Sequence, residues 1–204
     1  MTNTNIKAAQ PDHPIHPALA ARFSPYIFDP KPIEDAKLQS CFEAARWAAS
    51  SFNEQPWVFI LAKREDQTAF ENALDCLLEA NQAWAKDAGA IILTSYATSF
   101  TRNNNPNRVA AHDLGLATGN FSFQASQLGL QIHEMGGVNL AKMRQNCSIP
   151  DTHEPCTAIA IGYAGDPTQL DSDIAARDKA PRQRKPLNEW VFGETWGQPA
   201  SAVE

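Results

Sequence analysis

The chain has few of the features that mark metal-dependent, disulfide-bonded or nucleic-acid-binding proteins. Its four cysteines include no C-x-x-C pair and its five histidines show no ligand spacing, so we expect buried thiols and no metal site. Basic residues are also scarce, because 17 Lys and Arg against 23 Asp and Glu give a formal net charge of −6. Since nucleic-acid phosphates need a basic face, this balance argues against a general nucleic-acid binder. It leaves room for a small phosphate pocket.

Long apolar segments are missing too. The longest apolar runs, such as WVFILA at residues 57–62, have the length of a strand and fall far short of a bilayer crossing. The start of the chain, MTNTNIKAAQPDHP, is polar and lacks the apolar region of a signal peptide. We therefore expect no membrane partner and a cytoplasmic location.

The common motifs of enzyme active sites are absent as well. No G-x-G-x-x-G follows an expected strand, and there is no Walker loop, G-x-S-x-G or H-E-x-x-H. His112 and Asp113 could form an acid/base pair, but adjacent residues on a helix point about 100° apart. Capping or interhelical hydrogen bonding is the favoured interpretation of this pair, and we predict no catalytic side chain.

Length and composition fit one ordinary domain. The chain has 204 residues, of which 43% are hydrophobic and 20% charged, enough to bury a core without cross-links. We predict a flexible N-terminal arm over residues 1–17 and a single domain over residues 18–204.

Hydrophobic periodicity predicts helices that alternate with about four strands. Gly115, Gly119 and Gly129 fall in the longest of these helices and weaken it by about 1 kcal/mol each, which close packing against another backbone would offset. The predicted helices span residues 32–50, 64–89, 108–130 and 139–147, and the strands span residues 57–63, 90–96, 130–135 and 156–163.

Four short motifs, each weak alone, occur in an order and spacing that resembles the nitroreductase family of FMN-dependent reductases. They are RFSPYIF (residues 22–28), AASSFNEQPW (48–57), LGLQIHEMGGVN (128–139) and an arginine pair ahead of Pro186. The likeness covers roughly residues 18 to 195. It implies an α+β, nitroreductase-like fold with a central mixed or antiparallel sheet flanked by helices. It also implies a homodimer with FMN at the interface.

The resemblance also assigns residues to the phosphate end of FMN. Arg22, Arg182 and Arg184 are expected to bind the phosphate, because a planar guanidinium meets a phosphate with paired donors. Ser24 would add a hydroxyl donor. The alternative for each arginine taken singly is an ordinary solvated charge.

Other motif residues would face the flavin ring. Asn53 and Gln55 carry amides that suit the alternating donors and acceptors of the pyrimidine edge, and the Ser50 and Ser51 backbone would complete that edge. The alternative is a polar turn before a core Trp57. Further cofactor-binding residues follow from the resemblance: Gly136 and Gly137 near flavin N5, where the absence of a Cβ permits close approach, and Asn81 near the ribityl chain or ring.

Two positions depart from the family pattern. Tyr26 stands where the family usually has a basic residue, which leaves the phosphate cluster thinner. Trp84 stands where the family often has a basic residue that favours the anionic reduced flavin. These departures put the reduction potential in question more than the binding.

The activity implied is that of an FMN-dependent oxidoreductase. NADH or NADPH would reduce the flavin by hydride transfer and leave, and a small acceptor such as a nitroaromatic or quinone would then bind in a ping-pong scheme. The segment SYATSFTRNNNPN (residues 95–107) is the expected lid over the acceptor. Two alternatives stay open: a relative specialised for one metabolite, and a domain of this fold that has lost FMN and acts as a binding or scaffold module.

Overall fold

A five-stranded antiparallel sheet forms the centre of the chain in the computed structural model, which describes residues 6–169 and 172–203. β5 pairs with β3 along one edge and with β4 and β1 along the other, and β2 pairs with the far side of β3. β2 and β4 therefore lie at opposite edges of the sheet. The strands are β1 (Phe28–Asp29), β2 (Trp57–Lys63), β3 (Ala90–Ala97), β4 (Gln131–Met135) and β5 (His153–Ala164).

Helices cover both faces of this sheet. Their bounds are α1 (Pro17–Ala21), α2 (Asp35–Arg46), α3 (Gln67–Asp75), α4 (Glu79–Ala85), α5 (Ala110–Gln127), α6 (Leu140–Asn146) and α7 (Asp173–Lys179). Across the described ranges, no helix combines the length and the apolar character needed to cross a membrane.

The strand period of two divides the core between the two faces. On β3, Ile91 and Leu93 pack with side chains of α3, α4 and α6, whereas Ala90 and Ile92 pack with α2 and α5. All four side chains are fully buried. The expected α+β fold with a central antiparallel sheet between helices is confirmed.

The single helix predicted over residues 64–89 is wrong, because the chain forms two helices there. Between α3 and α4, the Leu77 backbone pairs with Val138 in an isolated bridge, and the Gln82 amide donates to the Leu77 carbonyl at 2.8 Å. Periodicity continued through the break because Leu77 is still buried. β1 and α7 are too short for a pattern to reveal, and α2 is shorter than predicted at both ends.

We expected another backbone to pack closely against the glycines of the long helix, and this expectation is also wrong within one chain. A Cβ added at Gly115 or Gly119 would meet no heavy atom within 4 Å outside the helix itself, so no backbone of this chain packs there. Both residues lie on an exposed face of α5. Gly129 follows the end of α5 with φ of 76°, the left-handed conformation in which helices commonly end.

We predict that burial on β3 contributes far more to stability than burial on its neighbour β2. Leu93→Ala should lower the free energy of unfolding by about 2–5 kcal/mol, because it opens a cavity in a fully buried position. Leu61→Ala is the matched control at a side chain that is 37% exposed, and it should cost less than about 1 kcal/mol. Urea denaturation of both variants measures the difference, and equal losses would contradict the assigned core.

Candidate functional site

Arginines from two distant parts of the chain meet at one large cavity. Arg22 directly follows α1, and Arg182 and Arg184 lie on the segment after α7. All three line a cavity of about 950 Å³, together with Lys185 and apolar side chains that include Leu187 and Trp190. The fold thus brings three of the predicted phosphate ligands to one place.

These arginines are close enough to affect one another, and none of them forms an ion pair within the described part of the chain. Burial lowers the pKa of Arg22, the charge of Arg184 lowers it further, and Glu134 opposes the shift. Burial also lowers the pKa of Arg182, with added repulsion from Arg22 and Arg184. Within the described residues, no ion pair includes any of the three. The cluster is therefore a concentration of unneutralised positive charge.

Arg182 combines this charge with a structural task. Its guanidinium donates to the carbonyls of Lys7, Ala20 and Arg22 at 2.5, 2.6 and 2.6 Å, which ties the N-terminal segment to the segment after α7. Three of its five N–H groups are thereby used on backbone oxygens. Arg184 is exposed, and its only hydrogen bond among the described residues is to the adjacent carbonyl of Gln183, at 2.8 Å, so more of its donors remain available to a ligand.

Residues 22–27 run beside β4 and are fixed there by side chains of other elements. The Phe23 N–H donates to Gln131 Oε1 at 3.0 Å, and His133 Nδ1 lies 2.8 Å from the Pro25 carbonyl oxygen. Asp178, on α7, accepts hydrogen bonds from the backbone N–H groups of Tyr26 and Ile27. The Ser24 hydroxyl lies 3.4 Å from Arg22 Nη1, on the same segment.

The predicted glycine pair follows β4 directly, and one of its members contacts the predicted asparagine. Asn81 Nδ2 donates to the Gly137 carbonyl at 3.0 Å, and a Cβ on Gly137 would lie 2.6 Å from that nitrogen. Nothing lies within 4 Å of the corresponding Cβ position on Gly136, which is exposed. A methyl group at Gly137 would therefore displace the Asn81 amide, whereas Gly136 leaves open space above the backbone.

The Ser50–Gln55 loop has an unusual backbone. Phe52, Asn53 and Gln55 have φ of 54°, 57° and 52°, in the left-handed region that non-glycine residues rarely adopt. Such strain costs about 1–3 kcal/mol per residue and concentrates at functional sites. The Gln55 N–H donates to Ser50 Oγ at 3.0 Å, and the Ser51 N–H donates to Asp113 Oδ2 at 3.0 Å.

The side chains predicted to bind the pyrimidine edge of the flavin are accessible to a ligand. Asn53 and Gln55 are exposed, and the Gln55 amide nitrogen bonds only the Asn53 carbonyl, at 3.1 Å. The loop also contacts the predicted lid. Arg102 lies over the Phe52 ring at 3.7 Å, and the Thr101 N–H donates to Glu54 at 2.7 Å.

The site residues therefore form two groups, not one. The arginine cluster, Ser24 and the Asn81–Gly137 contact lie along β4, whereas Ser50, Ser51, Asn53 and Gln55 precede β2. Between β4 and β2 stand β5 and β3, which amounts to three strand spacings or roughly 14 Å. Within one chain, the two groups therefore belong to opposite edges of the sheet.

The two departures from the family pattern are in contact with each other. Trp84 is only 4% exposed, and its ring lies 5.2 Å from Tyr26 and 4.4 Å from His133. Burial lowers the pKa of His133, which disfavours the charged form of the imidazole in this cluster. The position where the family often has a base is thus part of the hydrophobic core.

Sequence reasoning missed Asp178 and much of the cavity lining. It singled out Asp113 only as a partner of His112, and its bond to the Ser51 N–H was not foreseen. Asp178 did leave a signal, because an acidic residue in the last turn of a helix opposes the helix dipole. Lys185 and Trp190 also line the cavity but belong to no quoted motif.

Comparisons with known proteins find similar sequences. The nitroreductase family profile matches residues 19–163. An uncharacterized 15.4 kDa protein of Mycolicibacterium smegmatis is 31% identical over 147 residues, which is 69% of this chain and 98% of that protein. The major NAD(P)H-flavin oxidoreductase of Aliivibrio fischeri is 34% identical over 98 residues, which is 45% of this chain and 43% of that protein.

Solved structures match over most of the chain. One, described as an oxidoreductase containing FMN, has a TM-score of 0.86 and 31% identity, and the match covers 96% of this chain and 98% of that one. A nitroreductase family protein from Clostridium difficile has a TM-score of 0.68 at 24% identity, with 87% of this chain and 96% of that one covered. The second likeness shows the fold alone.

We predict that the two glycines respond differently to a methyl group. Gly137→Ala should lower the free energy of unfolding by about 1–2 kcal/mol, because Asn81 must move and its hydrogen bond to the Gly137 carbonyl is lost. Gly136→Ala, the matched control, should change stability by less than about 0.5 kcal/mol. Thermal and urea unfolding measure both, and a larger loss in the control would refute the assigned contact.

Proposed function

Because the chain belongs to the nitroreductase family, we propose that it is an FMN-dependent oxidoreductase that uses NADH or NADPH to reduce small acceptors such as nitroaromatics and quinones. The observation that carries this proposal is the unneutralised cluster of Arg22, Arg182 and Arg184 beside the large cavity. The names of two relatives, an FMN-containing oxidoreductase and an NAD(P)H-flavin oxidoreductase, support the same conclusion.

The arginine cluster fits the phosphate end of FMN. A phosphate monoester carries nearly two negative charges, and guanidinium groups meet such charges with paired donors. Arg22 and Arg184 would bind this phosphate, with Arg182 adding charge from its fixed position. The repulsion that now lowers the pKa of Arg22 and Arg182 would be relieved by a bound anion.

The Ser50–Gln55 loop fits the other end of the cofactor. Asn53 and Gln55 present exposed amides, each of which offers donors and an acceptor to a heteroaromatic edge. The strained backbone holds these amides in one arrangement before a ligand arrives, which reduces the ordering cost of binding. Gly136 and Gly137 would allow the ring to approach the end of β4.

A homodimer would resolve the separation of the two groups. Along one chain the phosphate-binding residues and the ring-edge residues belong to opposite edges of the sheet. We therefore propose that each cofactor contacts the phosphate-binding residues of one subunit and the ring-edge residues of the other. The exposed face of α5 at Gly115, Leu116 and Gly119 supports this, because it offers a close-packing surface that none of the described residues covers.

The protein's part in the reaction is to bind, orient and exclude water. Bound FMN would supply the redox chemistry, accepting a hydride from the nicotinamide and passing reducing equivalents to an acceptor in a separate half-reaction. No side chain is assigned as a general acid or base. His112 does contact Asp113 at 3.3 Å, but that carboxylate is occupied in holding the Ser51 N–H.

The acceptor site would lie under the lid that contacts the Ser50–Gln55 loop. Phe52 and Phe100 meet edge to face with 5.8 Å between ring centroids, and Arg102 lies over both rings. A cationic group above aromatic faces suits planar acceptors that carry partial negative charge, such as nitro compounds and quinones.

The direct test is the visible absorption spectrum of the purified protein, before and after loading with FMN and gel filtration. Oxidised-flavin bands that migrate with a dimer and bleach on addition of NADH or NADPH would support the proposal. Parallel initial-rate lines with varied acceptor would support two separate half-reactions, and intersecting lines would contradict them. A colourless protein that cannot be loaded would instead favour a binding or scaffold module that has lost FMN.

We predict that Asn53→Ala lowers FMN retention while Asn104→Ala does not. Both residues are exposed and both have φ of 57°, so alanine introduces the same backbone strain at each position. The Asn53 change also removes an amide from the ring edge, which should weaken FMN binding by about 5- to 10-fold. Flavin content after gel filtration measures the effect, and equal content in the two variants would remove the ring-edge assignment.

A further inference from the structure

Among the described residues, two charged side chains are buried, and each of them holds one half of the candidate site. Asp113 is 3% exposed and Asp178 is 4% exposed. Burying a carboxylate is unfavourable unless hydrogen bonds replace its water. Each aspartate therefore needs partners, and the partners that each one has are informative.

Asp178 is bonded to the backbone of the phosphate half. The Tyr26 N–H donates to both of its carboxylate oxygens, at 3.1 and 2.9 Å, and the Ile27 N–H donates to Oδ2 at 2.9 Å. These amides follow Arg22 and Ser24 by a few residues on one extended segment. Asp178 also precedes Arg182 and Arg184 along the chain. It thus joins the two segments that carry the arginines.

Asp113 is bonded to the backbone of the ring-edge half. Its Oδ2 accepts the Ser51 N–H at 3.0 Å, at the start of the strained loop that presents Asn53 and Gln55. Its other oxygen lies 3.3 Å from His112 Nδ1. Neither aspartate lines the cavity, so neither is placed to touch a ligand there.

We propose that Asp178 and Asp113 are positioning residues, and that each fixes one half of the cofactor site: Asp178 the phosphate half and Asp113 the ring-edge half. This inference rests on the proposed function for the identity of the cofactor. It goes beyond that function because it assigns separate, distinguishable tasks to two residues that do not contact the ligand.

FMN and riboflavin separate the two tasks, because riboflavin has the same ring and ribityl chain but no phosphate. Asp178→Asn should weaken FMN binding by about tenfold and leave riboflavin binding within about threefold, since charge-assisted hydrogen bonds are about twice as strong as neutral ones. Asp113→Asn, the matched control, should weaken FMN and riboflavin by the same factor. Fluorescence titration of flavin-free protein measures all four dissociation constants.

The sign of the Asp178→Asn effect distinguishes positioning from simple electrostatics. Removing the negative charge of Asp178 would, through the field alone, favour the binding of an anion and not weaken it. Weaker FMN binding with unchanged riboflavin binding therefore indicates misplaced arginines. Tighter FMN binding, unchanged FMN binding, or an equal loss for both flavins would overturn the assignment of Asp178. Unequal losses for the two flavins in Asp113→Asn would overturn that of Asp113.

Inorganic phosphate makes the test independent of the proposed function. If the unaltered protein bound neither flavin, the proposed function would fail, but calorimetry with phosphate would still decide the role of Asp178. Phosphate binding should weaken in Asp178→Asn and stay unchanged in Asp113→Asn. The opposite pattern, or equal effects in both variants, would overturn the inference.

Hydrogen exchange on the unaltered chain covers the case in which Asp178→Asn fails to fold. If Asp178 holds this segment in advance, the Tyr26 and Ile27 amides should exchange slowly in flavin-free protein, and FMN should add little further protection. Fast exchange that slows only when FMN binds would show that the ligand itself orders the segment. That result would overturn the positioning role.

Discussion

The antiparallel pairing of β5 is the constraint on which the other parts of the structure depend. A strand has two edges, and β5 uses one for β3 and the other for β4 and β1. Since β2 pairs beyond β3, the chain that enters β2 and the chain that leaves β4 are held on opposite sides of the sheet. The locations of the Ser50–Gln55 loop and of the glycine pair follow from this pairing alone.

The fold holds the three arginines of the cluster together although their positive charges repel one another. Three guanidinium groups that repel one another would be stabilised by carboxylates in ion-pair contact, and the chain has an excess of acidic residues to provide them. Glu134 offsets the shift of the Arg22 pKa only through its charge, and the buried carboxylate of Asp178 is directed at backbone N–H groups. A local conflict of this kind, kept in an otherwise consistent fold, is the pattern expected at a functional site.

Much of the fold could be predicted from the sequence because the strands have strong patterns. The run WVFILAK and the buried β3 were located to within a residue, since each alternates between two apolar faces. The break between α3 and α4 could not be predicted, because it depends on a backbone bridge from Leu77 to Val138, 61 positions away along the chain.

The candidate site likewise has one part that could be predicted from the sequence and another part that could not. Arg22, Asn53 and Gly137 belong to short motifs with a fixed local meaning. Asp178 acts through contacts with residues more than 150 positions away, and no local pattern encodes such a partner. The motif also gave no reason to expect that most of the Arg182 donors are used by backbone carbonyls. The residues predicted to touch a ligand form motifs, whereas the partners of the residues that hold them in place are identified by tertiary contacts.

The strained loop explains why such holding residues are needed. Three left-handed residues within four positions are unfavourable by a few kcal/mol in total, and a free loop would relax to ordinary conformations. The hydrogen bond from the Ser51 N–H to Asp113 and the start of β2 at Trp57 fix both ends of this loop. The free energy of folding therefore offsets the strain, and the free energy of ligand binding does not have to. The same reasoning applies to residues 22–27, which are fixed by β4 and α7. Because each half is ordered by its own chain, joining two halves across an interface would require little further ordering, and a ligand that contacts both would stabilise that interface by mass action.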